Sequence, residues 1–184
     1  MVSATGLHGL SCRKNPGRHQ RHNLLNEIIH RAVVKTDTPA SREPHGLCPP
    51  GDKRPDGATL VPWSRGLCLA WDATCPDTFS QSHVASCSVT AGAAAASAES
   101  AKITKYSDIL PTFTFVPVAI ETSGVWGQEG LSLVNEIGAR LSRLHHDSRH
   151  AVFLRQRLSI AIQRGNAICI RSTFRSDNTS QLTV

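Results

Sequence analysis

No stretch of this chain supplies the roughly 20 consecutive apolar residues that a membrane-crossing helix needs. The first residues, M-V-S-A-T-G-L-H-G-L-S-C-R-K, hold no apolar core of signal-peptide length. Together these absences point away from the membrane and from secretion, toward a nuclear or cytoplasmic protein whose cysteines sit in a reducing compartment. No C-x-x-C pair occurs among Cys12, Cys48, Cys68, Cys75, Cys87 and Cys169, so their spacing outlines neither a disulfide framework nor a complete zinc site. Most read as small buried residues, above all Cys68 and Cys169, which lie inside apolar runs. No internal repeat is visible. Negative charge is scarce: 14 Asp and Glu stand against 20 Lys and Arg, a formal net charge of +6 with a sequence pI near 9.3. That excess suits nucleic acid or another polyanion.

What is present fits a folded domain. A length of 184 residues is enough for one domain with a real core, and 40% hydrophobic residues with a mean hydropathy of −0.19 fit a globular one. Residues 1–22 are rich in Gly, His and Arg and show neither helix nor strand periodicity. His8, Cys12, His19 and His22 stand there, enough N and S donors for a zinc knuckle. A basic loop facing phosphate or water is an equal reading. Asn23–Val34 carries a helical stripe of Leu24, Leu25, Ile28, Ile29, Ala32 and Val33, with Asn23 as its cap. Residues 35–55 hold prolines and glycines enough to read as loop. An Ala-rich helix is expected over about Val84–Tyr106, packed closely on a sheet, with Lys102, Lys105 and Tyr106 sharing a face near its end. Phe113–Glu121 reads as a strand that Pro117 demotes toward an edge or bulge. Helices follow around Leu131–Leu144 and Arg149–Arg164, then a polar tail read as disordered. The crossover helix makes a parallel strand pair the expectation, and the whole reads as one α/β domain, a small mixed β-sheet flanked by helices. The division expected is residues 1–22 as a basic Cys/His segment, 23–172 as the domain and 173–184 as the tail.

The chemistry concentrates between Arg54 and Thr78, R-P-D-G-A-T-L-V-P-W-S-R-G-L-C-L-A-W-D-A-T-C-P-D-T. Ala58–Trp63 and Leu67–Ala73 read as two strands joined through Ser64-Arg65-Gly66, a hairpin. Asp56 stands at the entry of one strand and Asp72 near the end of the other, and Pro55 stiffens the approach. Two carboxylates brought to one place hold Mg²⁺ with open positions for phosphate. A turn or capping role for each Asp is the plainer alternative. Lys102 or Lys105 would supply a cation if the helix folds back over the hairpin. Arg13, Lys14, Arg18, Arg21, Lys53, Arg54 and Arg65 are candidates for sequence-independent phosphate contacts.

R-P-D-G…W-D-A-T-C followed by A-K-I-T-K-Y resembles the PD-(D/E)XK restriction-like nuclease pattern. More closely, it resembles the C-terminal endonuclease region of non-LTR retrotransposon polyproteins, which lies downstream of the reverse transcriptase. G-L-H-G-L-S-C…G-R-H-Q-R-H-N-L-L-N and V-P-V-A-I-E-T-S-G resemble transposon-derived sequences, and the likeness spans about Gly6 to Asn166. It implies a restriction-endonuclease-like core and a DNA endonuclease that nicks target DNA for reverse transcription. Asp56 and Asp72 would bind Mg²⁺, with Mn²⁺ as the alternative. Thr74 stands where many such nucleases carry a lysine, so Lys102, or Lys105, would supply it from the helix. Glu27 would match a first-helix carboxylate. Cys12, His19 and His22 would form the downstream half of a zinc knuckle whose first cysteine precedes Met1, which implies a fragment of a longer polyprotein. DNA, and element RNA, would be the partners. The readings that compete are a catalytically inactive nucleic-acid-binding remnant and a domesticated protein-interaction module.

Overall fold

A computed structural model describes residues 7–12, 14–47 and 53–173, with only the backbone of Leu7 and His8. Arg13, Cys48 and the tail from residue 174 lie outside the described residues.

The first long helix starts earlier than its apolar stripe. Asn15 caps it, its side chain accepting from the Gly17 amide at 2.8 Å, and Pro16 takes the first helical position, where a missing N–H costs nothing. Helix α2 therefore runs Pro16–Val34, after a short α1, Leu7–Ser11. Residues 16–22, irregular by periodicity, are its opening turns. They pack on the last helix: Asn15 Nδ2 donates to the Cys169 carbonyl at 2.7 Å, and a Cβ on Gly17 would meet Cys169 atoms at 3.0 Å. Leu24, expected in the stripe, is exposed; Leu25, Ile28, Ile29, Ala32 and Val33 are buried.

The sheet has four strands in the order β1-β2-β3-β4: Ala40–Arg42, Gly57–Thr59, Cys68–Thr74 and Phe113–Ala119. The first three run antiparallel and β3 pairs parallel with β4. Strand β1 lies inside the expected loop; three residues are too few to show alternation. The hairpin forms as expected, with Arg65 (φ 49°) and Gly66 (φ 79°) both left-handed, the geometry of a tight two-residue turn. Its first strand is shorter than the apolar run. Thr59 Oγ1 takes the Leu69 amide at 3.0 Å, Pro62 brings no donor, and residues 60–62 leave the ladder. Pro117 sits in edge strand β4, opposite Asp72.

The Ala-rich segment is two helices, α3 (Val84–Val89) and α4 (Ala93–Lys105), because Gly92 adopts φ +85° between them. Ala94 and Ala95 are fully buried, the close packing that small side chains allow. Two carboxylates fix α4 in place. Glu121, 1% exposed, accepts from the Ala94 and Ala95 amides at 3.1 and 3.2 Å. Glu99 reaches from α4 to the Gly130 amide (2.9 Å) at the start of α5, Gln128–His145. Both meet the positive end of a helix. The last helix, α6, spans His150–Arg171, longer than its apolar repeat indicated.

One face of the sheet, through Leu69, Trp71, Ala73, Val118 and Ile120, packs on α2, α5 and α6 to form the main core. The other face, through Ala58, Ala70 and Phe115, packs on Tyr106 and Ile109 at the end of α4. The architecture is thus a mixed four-stranded sheet between helical layers. None of the described helices is long and apolar enough to cross a membrane.

Candidate active site

The two aspartates meet at the end of the hairpin away from its turn. In the β2–β3 register Gly57 faces Trp71 and Ala58 faces Ala70, so one further step sets Asp56 opposite Asp72. Asp56 continues the ladder with its side chain: Oδ2 accepts from the Ala73 amide at 2.6 Å. Its Oδ1 lies 3.1 Å from His22 Nε2 on α2. Asp72, 3% exposed, turns to the other helical layer. Lys102 Nζ donates to its Oδ1 at 2.5 Å. The Tyr106 hydroxyl lies 2.6 Å from its Oδ2 and 2.7 Å from the Arg54 carbonyl, and Lys105 Nζ donates to that hydroxyl from 3.2 Å. A phenol has one proton, so Tyr106 serves Asp72 and the Arg54-Pro55-Asp56 segment one at a time. It ties the two aspartate-bearing segments together either way.

The two lysines make different contacts. Lys102 contacts Asp72; Lys105 contacts Tyr106, its ammonium 4.7 Å from the ring centroid. Positions 102 and 106 are i and i+4, one above the other on the helix end, and both reach Asp72.

Asn26 braces the pair from α2, a role with no signal in the sequence. Its Nδ2 donates to the Asp56 carbonyl at 3.2 Å and its Oδ1 accepts from Trp71 Nε1 at 2.9 Å. His22 and Asn26 are themselves i and i+4, so one face of α2 addresses Asp56 twice. Gly57 makes room for this brace. A Cβ there would stand 2.1 Å from Trp71 Cζ2. Gly57→Ala is expected to destabilise the fold by about 1–3 kcal/mol, the usual cost of forcing a methyl into a filled core. Urea unfolding measures it, and an unchanged midpoint would show the indole free to move aside.

The electrostatics tie the groups into one cluster. The His22 hydrogen bond to Asp56 raises its pKa above the ordinary 6.5, burial opposes the rise, and the charges of Asp56, Asp72 and Lys102 all act on it. A raised folded pKa means stabilisation that is complete below the unfolded value and disappears as pH climbs through the folded one. In chelator, the urea midpoint is expected to fall as pH rises from about 6.5 through that raised value. His22→Gln should flatten the slope; a parallel profile in the variant would assign it elsewhere.

Not every residue expected at the site is there. Glu27 is held on the flank of α2 by Arg31 and, at 2.7 Å, by Arg42 of β1; the half-exposed ion pairs, not the hairpin end, hold its carboxylate. Cys12, His19 and His22 are not gathered into a zinc site. Among the described residues no three His, Cys, Asp or Glu side chains are placed to hold a metal ion together, and His22 is turned to Asp56. The donor set of Asp56 and Asp72 is all oxygen, the donor type that suits Mg²⁺ or Mn²⁺. Of the basic residues, Arg21 is buried rather than a surface cation. Arg65 sits at the hairpin turn, the opposite end of the strands from the aspartates. Lys53 pairs with Asp108 and Arg54 with Glu43, both exposed beside the Asp56 segment, and Lys14 is exposed just before α2. Arg18, His19, Arg21 and His22 line a cleft with Thr74 and Cys75, just past the end of β3. Compared with known proteins, the chain matches no protein-family model and no curated protein.

Proposed function

We propose that this chain is a metal-dependent DNA endonuclease domain of a retrotransposon-derived protein, one that nicks target DNA to prime reverse transcription. The observation that carries it is the meeting of Asp56 and Asp72 at one sheet end with Lys102 on Asp72. The mixed sheet between helices supports the restriction-like core that the resemblance implies. Asp56 and Asp72 would hold the Mg²⁺ or Mn²⁺ ion. When bound, such an ion lowers the pKa of a coordinated water and offsets charge on the phosphate. Tyr106 and Asn26 keep the two carboxylates in register with each other. Lys102, a quarter exposed beside Asp72, presents a cation to the phosphate oxygens. DNA is the substrate in this reading; element RNA and the rest of a reverse transcriptase polyprotein are its partners.

The test is nicking of supercoiled plasmid with Mg²⁺, with Mn²⁺ and with chelator. Cleavage that survives chelation, or that is equal in wild type and Asp56→Ala, removes the mechanism.

One observation favours a second reading, an inactive nucleic-acid-binding remnant. All four carboxylate oxygens already have a protein partner: His22, the Ala73 amide, Lys102 and Tyr106. In that reading the pair braces the fold. Salt-dependent DNA binding with no cleavage in either metal would establish it.

A further inference from the structure

The cleft beyond β3 carries two arginines, Arg18 and Arg21, that form no ion pair with a carboxylate among the described residues. Its lining among the described residues is Arg18, His19, Arg21, His22, Thr74 and Cys75, without one carboxylate. Arg21 is the telling member. It is 2% exposed, its two terminal nitrogens donate to Asn166 Oδ1 (2.7 Å) and the Leu10 carbonyl (3.3 Å), and its Nε–H has no acceptor among the described residues. Both partners are neutral, and among the described residues no carboxylate forms an ion pair with it. A guanidinium buried without a counter-ion is costly to a fold and is a prepared place for an anion. Arg18 is held at the rim by the Ser11 carbonyl at 3.1 Å, so it is already oriented. Asp77, two residues past Cys75 and buried, accepts from Thr122 and the Phe79 amide through Oδ1, while its Oδ2 has no hydrogen-bond partner among the described residues.

The position of the cleft gives the anion an identity. Thr74 follows Asp72 by two residues on β3, about 7 Å along the strand, and at the strand end it lines the cleft with the α2 arginines. A chain of phosphates whose scissile member lies at Asp72 would set the next one over Thr74 and the two arginines. We propose that this cleft is a subsite for the phosphate adjacent to the scissile one on the cleaved strand. The proposal rests on the endonuclease reading for the word scissile, but not for the binding itself. It also gives His19 a place in the cleft wall in lieu of the zinc role expected for it.

Two arms test it on the full chain. The first is binding of a fluorescent oligonucleotide to Asp56→Ala in chelator, over a range of salt. Arg18→Gln/His19→Gln is expected to lower the slope of log K against log salt by about 0.7–0.9, one phosphate contact, and Thr74→Glu by the same or more. All three positions are at least partly exposed, so thermal midpoints close to the parent are expected; Arg21 is left in place because its removal would unsettle α6. The second arm is nicking of substrates carrying one neutral methylphosphonate, moved along the strand. One position next to the cut should lose about tenfold in KM with kcat retained, and Arg18→Gln/His19→Gln should no longer register that change. An unchanged salt slope in both variants overturns the subsite even if the protein nicks. A lowered slope in a protein that never nicks keeps the subsite and removes the nuclease reading alone.

Discussion

Asp72→Asn and Asp56→Asn are each expected to lower Mg²⁺-dependent nicking by roughly 10³-fold or more, since several kcal/mol of transition-state charge stabilisation pass through these ligands. The two losses should not add. Residues that act as one unit lose most of their effect with the first removal, so the double variant should resemble the singles. Folding should respond unequally. The amide introduced by Asp72→Asn can still accept from Tyr106, and Lys102 is 24% exposed, so its ammonium can turn to water; a cost of about 1–2 kcal/mol is expected, not the larger figure for a stranded buried charge. Asp56→Asn keeps an acceptor for the Ala73 amide but loses the charge beside His22. Circular dichroism melts and single-turnover nicking separate the effects. Wild-type activity in either variant would end the two-carboxylate account, and loss of fold in both would assign the pair a structural role.

The sequence is most informative where local rules act alone. The hairpin is legible because Arg65-Gly66 can both take positive φ and because apolar runs flank them. The parallel pairing of β3 with β4 follows from a crossover too long for a hairpin. Local rules fail where long-range contacts decide. A single helix over Val84–Tyr106 ignores Gly92, and no helix propensity can show that Glu121, 26 residues beyond Ala95, caps α4 from the end of the next strand. That carboxylate matters to the site: it anchors the helix whose far end carries Lys102 and Tyr106.

The start of α2 shows the same limit. Asn15-Pro16 is a legible start signal, yet the polar residues after it mask the helix, since Arg21 and Asn26 are buried polar groups facing partners 145 and 45 residues away. Reading polarity as exposure misses two of the most buried side chains near the site. The Glu27 and zinc expectations rest on a different kind of inference. They transfer residue types by position, whereas Glu27 lies on the wrong side of α2 and His22 faces a carboxylate instead of other metal ligands.

Lys102 carries the prediction that separates chemistry from scaffolding most sharply. Lys102→Ala removes the cation from Asp72 Oδ1, and loss of one such charge-stabilising donor lowers turnover by about 10²–10³. The same loss would follow if the lysine merely held Asp72 in place, so the single variant is ambiguous. Thr74 resolves it. It is half-buried on the strand that bears Asp72, two residues on, where the restriction-like pattern has its lysine. A lysine introduced there has the reach to return an ammonium to the phosphate side without re-forming the 102–72 pair from α4. Lys102→Ala/Thr74→Lys is therefore expected to recover about tenfold of the lost turnover, 1.4 kcal/mol of barrier. Lys102→Met/Thr74→Lys should do the same, because the methylene stem of methionine keeps the packing of the lysine stem. Recovery by Lys102→Met alone would mean that the stem, not the charge, supports Asp72. No recovery in either double variant, with melts matching the parent, would mean that charge is needed from the helix side. Lys105→Ala is the control: its ammonium rests on the Tyr106 hydroxyl and ring, so turnover should fall only a fewfold, on the order of 2–5, by loosening Tyr106 on Asp72.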